Sequence, residues 1–403
     1  MALLLAAGVL QGGATARAQV ALTALGDLPG GEFRSAATAV SGNGRVVVGR
    51  GSSIAGPIEE AWLRIVGAPL TGLGDLPGGP FQSRATGISA DGLTVVGQGW
   101  SDSGPEAFQW RAGQGMIGLG DLPGGPFASE AAAVSADGAI VVGYGRAADG
   151  FEAFRWSEAD GMVGLGRLPG GFAESYGLAV SADGRIVVGA SSSAIGLQAF
   201  LWTAVGGMQA LGDLPGGPVE SGARDVSADG RIAVGGARSA LGPEAFRWIE
   251  GRGMTGLGDL PGGEFFSVAH AVSGDGRVVV GASATALGHE AFHWTDSGSM
   301  ERLWDVLVTR GVDPASDGWS ILSEAASVSA DGNLIVGFGL RHGNREAFAA
   351  AIPEPCTLSL ALAALLTLAG PARQVVDAAD RVGRAPAASR APIEQHAGMN
   401  FHA

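Results

Sequence analysis

The stretch Leu25-Gly26-Asp27-Leu28-Pro29-Gly30-Gly31 decides the fold, because it returns along the chain at a nearly constant interval. Further copies lie at Leu73–Gly79, Leu119–Gly125, Leu211–Gly217 and Leu257–Gly263, and a copy with arginine in place of aspartate lies at Leu165–Gly171. The aspartate position recurs after 48 residues and then every 46 residues, as far as Asp305, where the Pro-Gly-Gly is missing. A period of this length indicates a repeat architecture.

The composition indicates a turn-rich β protein. The 403 residues include 70 glycines, and only 16% of the residues are charged. The net charge is −14 and all 25 basic residues are arginine, which argues against a nucleic-acid partner. Without lysine the chain has no Schiff-base chemistry of its own. The single cysteine, Cys356, excludes an intramolecular disulfide bond.

Each repeat contains the signals for four short antiparallel strands. The pair Asp137-Gly138 is typical of a hairpin turn, and the run Ile140–Gly143 after it is apolar on both faces. The later run Glu-Ala-Phe-x-Trp places Phe154 and Trp156 on one side of a strand. One such aromatic pair in each repeat predicts packing between neighbouring units rather than a binding platform.

We therefore predict an all-β fold for residues 19–352, a seven-bladed β-propeller of four-stranded antiparallel blades. The chain begins with an isolated fourth strand, Val20–Gly26, and ends with a third strand, Glu346–Ile352, that lacks a fourth. Joined in one blade, these N- and C-terminal strands would close the ring and cover its edges. The seventh copy is irregular and carries an insertion, Val308–Ser320. The alternative is an open β-solenoid.

The two ends of the chain carry targeting signals. Residues 1–18 end in Ala16-Arg17-Ala18 after an apolar run, which predicts a signal peptide. Residues 353–373 contain Pro353-Glu354-Pro355 and then an apolar run of fifteen residues, Cys356–Gly370, which is shorter than the ~20 residues of a comfortable membrane span. Residues 374–403 are rich in proline, alanine and arginine and are predicted to be a disordered tail.

The repeat x-Ala-x-Ala-Val-Ser-x-Asp-Gly-Arg-x-x-Val-Gly…Glu-Ala-Phe-x-Trp…Gly-Met-x-x-Leu-Gly resembles the bacterial HAF family of extracellular repeats, from Val20 to Ile352. The segment at Pro353, Glu354 and Pro355 resembles a PEP-CTERM sorting signal, although the usual arginine cluster is reduced to Arg373. This second resemblance implies export, transient membrane association and processing by an exosortase-type enzyme. It also implies display or release at the surface of an exopolysaccharide-producing, Gram-negative-type bacterium.

No residue set predicts a cofactor, a metal site or a catalytic nucleophile. The recurrent aspartates are predicted to cap their own turns, and a ring of Ca²⁺ ligands is the alternative. His270, His289 and His293 fall in one repeat, but the pattern does not establish the three or four converging ligands of a zinc site. Nucleophile elbows and phosphate-binding loops are missing from the sequence.

The loops between the second and third strands differ from repeat to repeat, and exposed loops on a rigid scaffold commonly bind ligands. The predicted ligand-binding residues on this rim are Trp100, Asp102, Arg146, Arg238 and His289. For a lone loop tryptophan such as Trp100, packing is the alternative to recognition.

These features predict a secreted or surface-displayed, non-enzymatic binding or structural module whose partners are exopolysaccharide or surface proteins. The alternative is an extracellular propeller enzyme that acts on glycans, which would need an acid/base pair at the central channel. The recurrent candidates for that pair are Glu130, Glu174, Glu220 and Glu324. A purely structural spacer is the third possibility.

Overall fold

The computed structural model describes residues 19–53, 56–296 and 299–353, which form an almost entirely β structure. The strands are β1 (Ala21–Gly26), β2 (Gly30–Val40), β3 (Val46–Ser53), β4 (Gly56–Ile65), β5 (Thr71–Gly72), β6 (Gly78–Ile88), β7 (Thr94–Ser101), β8 (Gly104–Arg111), β9 (Gly115–Gly118), β10 (Gly124–Val134), β11 (Ile140–Ala147), β12 (Gly150–Ser157), β13 (Gly161–Gly164), β14 (Gly170–Val180), β15 (Ile186–Ser193), β16 (Gly196–Thr203), β17 (Gly207–Ala210), β18 (Gly216–Val226), β19 (Ile232–Ser239), β20 (Pro243–Ile249), β21 (Gly253–Gly256), β22 (Ser267–Val272), β23 (Val278–Thr285), β24 (Gly288–Thr295), β25 (Glu301–Arg302), β26 (Trp319–Val328), β27 (Leu334–Arg341) and β28 (Asn344–Ala351). Within the described ranges, no helix has the length and apolar character needed to cross a membrane.

The strands follow one another as antiparallel meanders. Separate four-stranded sheets are formed by β2–β5, β6–β9 and β22–β25. Strands β10–β21 form one twelve-stranded sheet, in which single parallel bridges join Phe151 to Glu174 and Leu197 to Glu220. A succession of four-stranded antiparallel sheets of this kind is the architecture of a β-propeller.

One four-stranded sheet combines the first and the last described strands. Strand β1 pairs antiparallel with β28, with Ala21 opposite Ala351, and the sheet order is β1-β28-β27-β26. The Gly26 amide also donates to Oε1 of Glu346 at 3.1 Å. The pairing predicted from the two complementary end strands is present, and it covers the edge that β28 would otherwise expose.

The Asp-Gly turns between first and second strands lie together at one end of the molecule. Gly138 has a φ of 74°, a conformation that favours glycine in such turns. The Ala136 amide donates to the Ala182 carbonyl at 3.1 Å, and equivalent bonds link the other turns. These bonds run in a closed circle through Gly42–Asn43, Ala90, Ala136, Ala182, Ala228, Gly274 and Ala330. The circle surrounds one mouth of the central channel.

The Leu-Gly-Asp-Leu-Pro-Gly-Gly turns lie at the opposite end. Asp75 accepts a hydrogen bond from the Gln82 amide, and Asp121 accepts one from the Ala128 amide, each at 2.9 Å. The predicted turn-capping role of the aspartates is therefore confirmed at these positions.

Asp305, predicted to belong to the same set of aspartates, lies instead in the helix α1 (Leu303–Thr309). The missing Pro-Gly-Gly leaves no turn for it to cap. Leu303, Val306 and Leu307 are buried and lie on one face of the helix, at the spacing of an amphipathic helix. The predicted insertion Val308–Ser320 begins with the last two residues of α1, contains a short 3-10 helix, Pro314–Asp317, and ends in the first residues of β26.

The recurrent aromatic residues pack in the core, as predicted. The side chains of Phe108, Phe154 and Phe200 are fully buried, and so is Trp62 at the equivalent position of β4. Phe108 packs with Val95 of its own sheet in a cluster that includes residues of the preceding sheet. The continuously apolar second strands are thus covered on both faces.

A recurrent serine joins neighbouring sheets, and the sequence analysis did not identify it. Ser83 donates from Oγ to the Gly74 carbonyl at 2.6 Å and accepts from the Ala61 amide of the preceding sheet at 3.0 Å. Ser35 makes the same pair of bonds, and its acceptor bond comes from Ala347 of β28. The buried serines in this role are Ser35, Ser83, Ser129, Ser175, Ser221 and Ser267.

Candidate functional site

The residue after each joining serine, and after Ser323 in the sheet of β26–β28, varies between sheets, and so does the residue directly opposite it on the second strand. These cross-strand pairs are Ala36–Arg50, Arg84–Gln98, Glu130–Tyr144, Tyr176–Ala190, Gly222–Gly236, Val268–Ala282 and Glu324–Phe338. Because the serines anchor the first strands beside the Leu-Gly-Asp turns, the pairs surround the channel mouth at that end. We call this surface the variable mouth.

The glycine pair opens a cavity in the variable mouth. The space over Gly222 and Gly236 has a volume of about 560 Å³. Its walls are mainly apolar, and charged groups stand at its edge. The lining residues include Leu178, Leu197, Phe266, Val268, Glu220, Arg224 and Arg238. A concave, largely apolar space with a few polar groups is the usual form of a small-ligand site. We call it the glycine cavity.

Two of the five predicted ligand-binding residues belong to the surroundings of the glycine cavity. Arg238 lines the cavity, and its Nε donates to Oε2 of Glu220 at 2.8 Å. His289 is exposed and stacks on Phe266, with 4.8 Å between ring centroids and 15° between planes. Both residues were predicted as loop residues but lie near the ends of strands, Arg238 in β19 and His289 in β24, beside strand residues that were not predicted.

An aromatic group lies beside the glycine cavity in the neighbouring sheets. The ring centroids of Tyr144 and Tyr176 are 5.1 Å apart, and Phe151 lies 5.7 Å from Tyr176. Arg146, a third predicted residue, places its guanidinium over the Phe151 ring at 4.6 Å. We call these three rings the aromatic sector. Half-buried aromatic faces of this kind can stack on the apolar face of a planar or cyclic ligand.

Polar contacts fix the orientation of the aromatic sector. The hydroxyl of Tyr144 donates to Oε2 of Glu130 at 2.6 Å, and Nη2 of Arg84 lies 2.6 Å from the same oxygen. Burial and the nearby Glu130 carboxylate raise the pKa of Tyr144, so its hydroxyl remains a donor at neutral pH.

A basic group occupies another part of the variable mouth. Arg34, Arg50 and Arg345 line one small depression together with Glu59. Arg50 lies 3.2 Å from Glu59, and the guanidinium of Arg345 lies 3.7 Å from the centre of the Phe338 ring. We call the three arginines the arginine sector.

The central channel contains a further cavity of about 260 Å³, lined mainly by alanine, valine and glycine residues. Asp225 lines the channel and accepts from the Val226 and Val272 amides, each at 2.8 Å, and burial raises its pKa to about 7. Burial, together with the charge of Arg224, lowers the pKa of His270 to about 3. Nε2 of His270 lies 3.7 Å from Oε1 of Glu324.

The other two predicted residues, Trp100 and Asp102, lie away from the glycine cavity. Trp100 belongs to the end of β7 and is half-buried, and its amide lies 3.4 Å from Oδ1 of Asp75. Asp102 is exposed in the turn between β7 and β8, directly over Gly78. Trp100 is thus part of a strand rather than of a free loop.

The glutamates of the enzyme alternative differ in their surroundings. Glu130 and Glu220 each form an ion pair with an arginine, Arg84 and Arg238 respectively. Glu324 contacts His270, and burial raises its pKa. Glu174 lies on β14 next to the aromatic sector.

The three histidines considered for zinc have different surroundings: His270 faces the channel, His289 is exposed and His293 is buried. Within residues 19–53, 56–296 and 299–353, no three His, Cys, Asp or Glu side chains converge as metal ligands would.

The chain matches no family model and no curated protein. Among solved structures it is similar to an oligogalacturonate lyase from Vibrio parahaemolyticus, with 9% identity, a TM-score of 0.48, and coverage of 83% of this chain and 98% of that one. It is also similar to a putative TolB from Agrobacterium tumefaciens, with 15% identity, a TM-score of 0.43, and coverage of 72% and 94%. With TolB from Acinetobacter baumannii the identity is 11%, the TM-score is 0.41, and the match covers 65% of this chain and 64% of that one.

Proposed function

We propose that the chain is a seven-bladed propeller that acts outside the cell as a non-enzymatic binding module for exopolysaccharide. The count of seven treats the twelve-stranded sheet as three bridged blades, in agreement with the 46-residue period and the seven variable pairs. The proposal also assigns the chain to HAF-type repeats, on the repeat sequence given above.

The glycine cavity is the observation that carries the binding role. Framework residues recur in nearly every repeat, whereas the variable pairs differ in all seven, and one pair, Gly222–Gly236, leaves a space large enough for a sugar unit. The aromatic sector stands next to it and offers ring faces for the apolar side of a sugar. A matrix polysaccharide bound here would lie across the variable mouth.

The test is to fill the cavity with a side chain that the fold already carries one sheet away. In the preceding repeat, Tyr176 occupies the position of Gly222. A Cβ on Gly222 would meet only Ala190, at 3.4 Å, so Gly222→Tyr should fold. Affinities for a panel of bacterial polysaccharides should fall at least tenfold, measured by calorimetry on the exported protein obtained from the full-length chain. The control is Ala112→Tyr, which adds the same ring at an exposed position of the turn between β8 and β9. Equal binding by Gly222→Tyr and wild type would contradict the proposal.

The cellular location and the processing of the protein are a second part of the proposal. We propose cleavage after Ala18, and processing at Pro353–Pro355 by an exosortase-type enzyme with transient membrane association and surface display or release. The predicted signal peptide and all residues after Pro353 lie outside the described residues, and the carbonyl of Pro353 itself accepts from Nη1 of Arg310 at 3.1 Å. Intact-mass measurement and cell fractionation of the expressed protein test this location and processing. A full-length product in the cytoplasm would contradict the proposal.

The glycan-acting enzyme remains a competing proposal because Glu324, His270 and Arg224 meet at the channel. A carboxyl group with a raised pKa beside a neutral imidazole and an arginine is a combination that acid/base catalysis can use. Turnover of any polysaccharide in the panel, lost in Glu324→Gln, would replace the binding proposal with this one.

A further inference from the structure

The arginine sector concentrates positive charge on a molecule whose overall charge is strongly negative. Arg34 on β2, Arg50 on β3 and Arg345 on β28 converge on one depression, in a chain of net charge −14. Two carboxylates are close to them: Glu59, which pairs with Arg50, and Glu324, whose charge favours that of Arg345. Because the three arginines outnumber the two glutamates, the arginine sector carries an excess of positive charge.

The arginines are only partly satisfied by the protein. Arg34 is exposed, and no side chain in the described part of the chain forms an ion pair with it. Nε of Arg345 is buried and has no hydrogen-bond partner among the described residues. Burial, and then the charges of Arg50 and Arg34, lower the pKa of Arg345, as expected for a cation that its neighbours repel. The cluster therefore costs stability in the free protein, and an added anion would relieve that cost.

In the neighbouring sheet, the arginine at the corresponding positions is neutralised by an ion pair within the protein. Arg84 takes the place of Ala36 there, and it pairs with Glu130 at 2.6 Å, while Gln98 takes the place of Arg50. In the arginine sector the small residue Ala36 instead leaves the guanidiniums uncovered. The enclosed space is only about 10 Å³, so a ligand anion would lie over the arginines at the surface and remain connected to a larger ligand.

We propose that the arginine sector binds the carboxylate groups of an acidic polysaccharide that lies across the variable mouth. Planar guanidiniums match carboxylates in shape and can bond them in pairs. The inference rests on the proposed function, since the sugar rings would be held by the aromatic sector and the glycine cavity. It adds the ligand class: sugars that carry carboxylates, in preference to neutral ones.

The test compares alginate with the same polymer after its carboxylates have been reduced to primary alcohols. The wild-type protein should bind alginate at least tenfold more tightly than the reduced polymer at low salt. This preference should shrink as NaCl rises from about 0.05 M to about 0.5 M, because salt screens exposed charges. The double variant Arg34→Gln/Arg345→Leu should bind both polymers with the weaker affinity. Both replacements occur in other repeats, as Gln82 and Leu197, so the variant should fold, and circular dichroism checks this.

A charge-matched control separates the site from the overall charge. Arg185→Gln/Arg277→Gln removes two exposed arginines from Asp-Gly turns at the opposite end, and it should keep the wild-type preference. Equal affinity for alginate and its reduced form would overturn the inference and leave the proposed function standing. Binding of poly-γ-glutamate as tight as that of alginate would also overturn it, because the site would then be a general polyanion site. If no polysaccharide of the panel binds, the proposed function fails with it.

Discussion

Replacing Ser83 by alanine should measure how strongly the joining serines hold neighbouring sheets together. Ser83 is 1% exposed and bonds both the Ala61 amide and the Gly74 carbonyl, so Ser83→Ala removes the partner of both groups. Leaving the buried Ala61 amide unsatisfied costs about 1–3 kcal/mol. The partly exposed Gly74 carbonyl recovers some of its loss by bonding water, so the total destabilisation should be about 2–3 kcal/mol. With an unfolding entropy of about 2.1 cal/mol/K per residue over about 330 residues, or ~0.7 kcal/mol/K, Tm should fall by about 3–4 °C.

The assay is scanning calorimetry of Ser83→Ala beside the wild type and the matched control Ser103→Ala. Ser103 is an exposed serine in the turn between β7 and β8, and its change should alter stability by less than about 0.5 kcal/mol. A Tm for Ser83→Ala that matches the Tm of Ser103→Ala would refute the reasoning, because the Ala61 amide would then have another partner. A loss confined to a minor, early transition would also refute it, because the ring would then not unfold as one unit.

Two other predictions concern ring closure and pH. Removal of residues 19–26 should expose the edge of β28, lower Tm and cause concentration-dependent association in light scattering, and an unchanged Tm with unchanged scattering would contradict this. Asp225 should make the free energy of unfolding fall as pH rises. Its carboxyl ionises near pH 4 in the unfolded chain but only near pH 7 in the folded protein. The stabilisation by the protonated carboxyl is therefore present below pH 4 and is lost between pH 4 and pH 7, by up to about 4 kcal/mol. Asp225→Asn should show a smaller fall of Tm over that range than the wild type, and identical falls would contradict the assignment.

The framework of the fold could be predicted from the sequence because its signals repeat and act locally. The Asp-Gly turns, the buried Phe154 and the capping aspartates each depend on neighbours a few residues away or on strand periodicity. The pairing of β1 with β28 could also be predicted, because two incomplete strand sets at opposite ends complete one sheet. Asp305 was misplaced because regular spacing was extended past a segment that had lost its turn residues, and helix α1 formed there instead.

The candidate site was harder to predict because its residues come together only in the folded ring. Ala36 and Arg50 are 14 residues apart, and Arg345 reaches them only because the last strands return beside the first. Arg238 and His289 were predicted as loop residues, but Arg238 lies in β19 and His289 in β24, and the glycine cavity is formed by strand residues. A signal was present in the sequence: the position after the repeated serine varies widely between copies, whereas the serine itself is repeated.

The glycine pair itself argues that the cavity has a use. Gly222 and Gly236 have ordinary strand conformations, and neither needs the positive φ that would require glycine. A glycine inside a strand costs about 0.5–1 kcal/mol relative to alanine, so Gly222 carries a cost of that size. Ser221 still makes its bonds to the neighbouring sheet at 3.0 and 3.1 Å, and a Cβ on Gly222 would meet only Ala190 at 3.4 Å, so nothing around position 222 requires glycine. Gly222→Ala should therefore raise Tm while it weakens polysaccharide binding, and this opposition of stability and binding is typical of a functional site. A Gly222→Ala variant that is more stable and binds as well as the wild type would mean that the cavity is only an accident of packing.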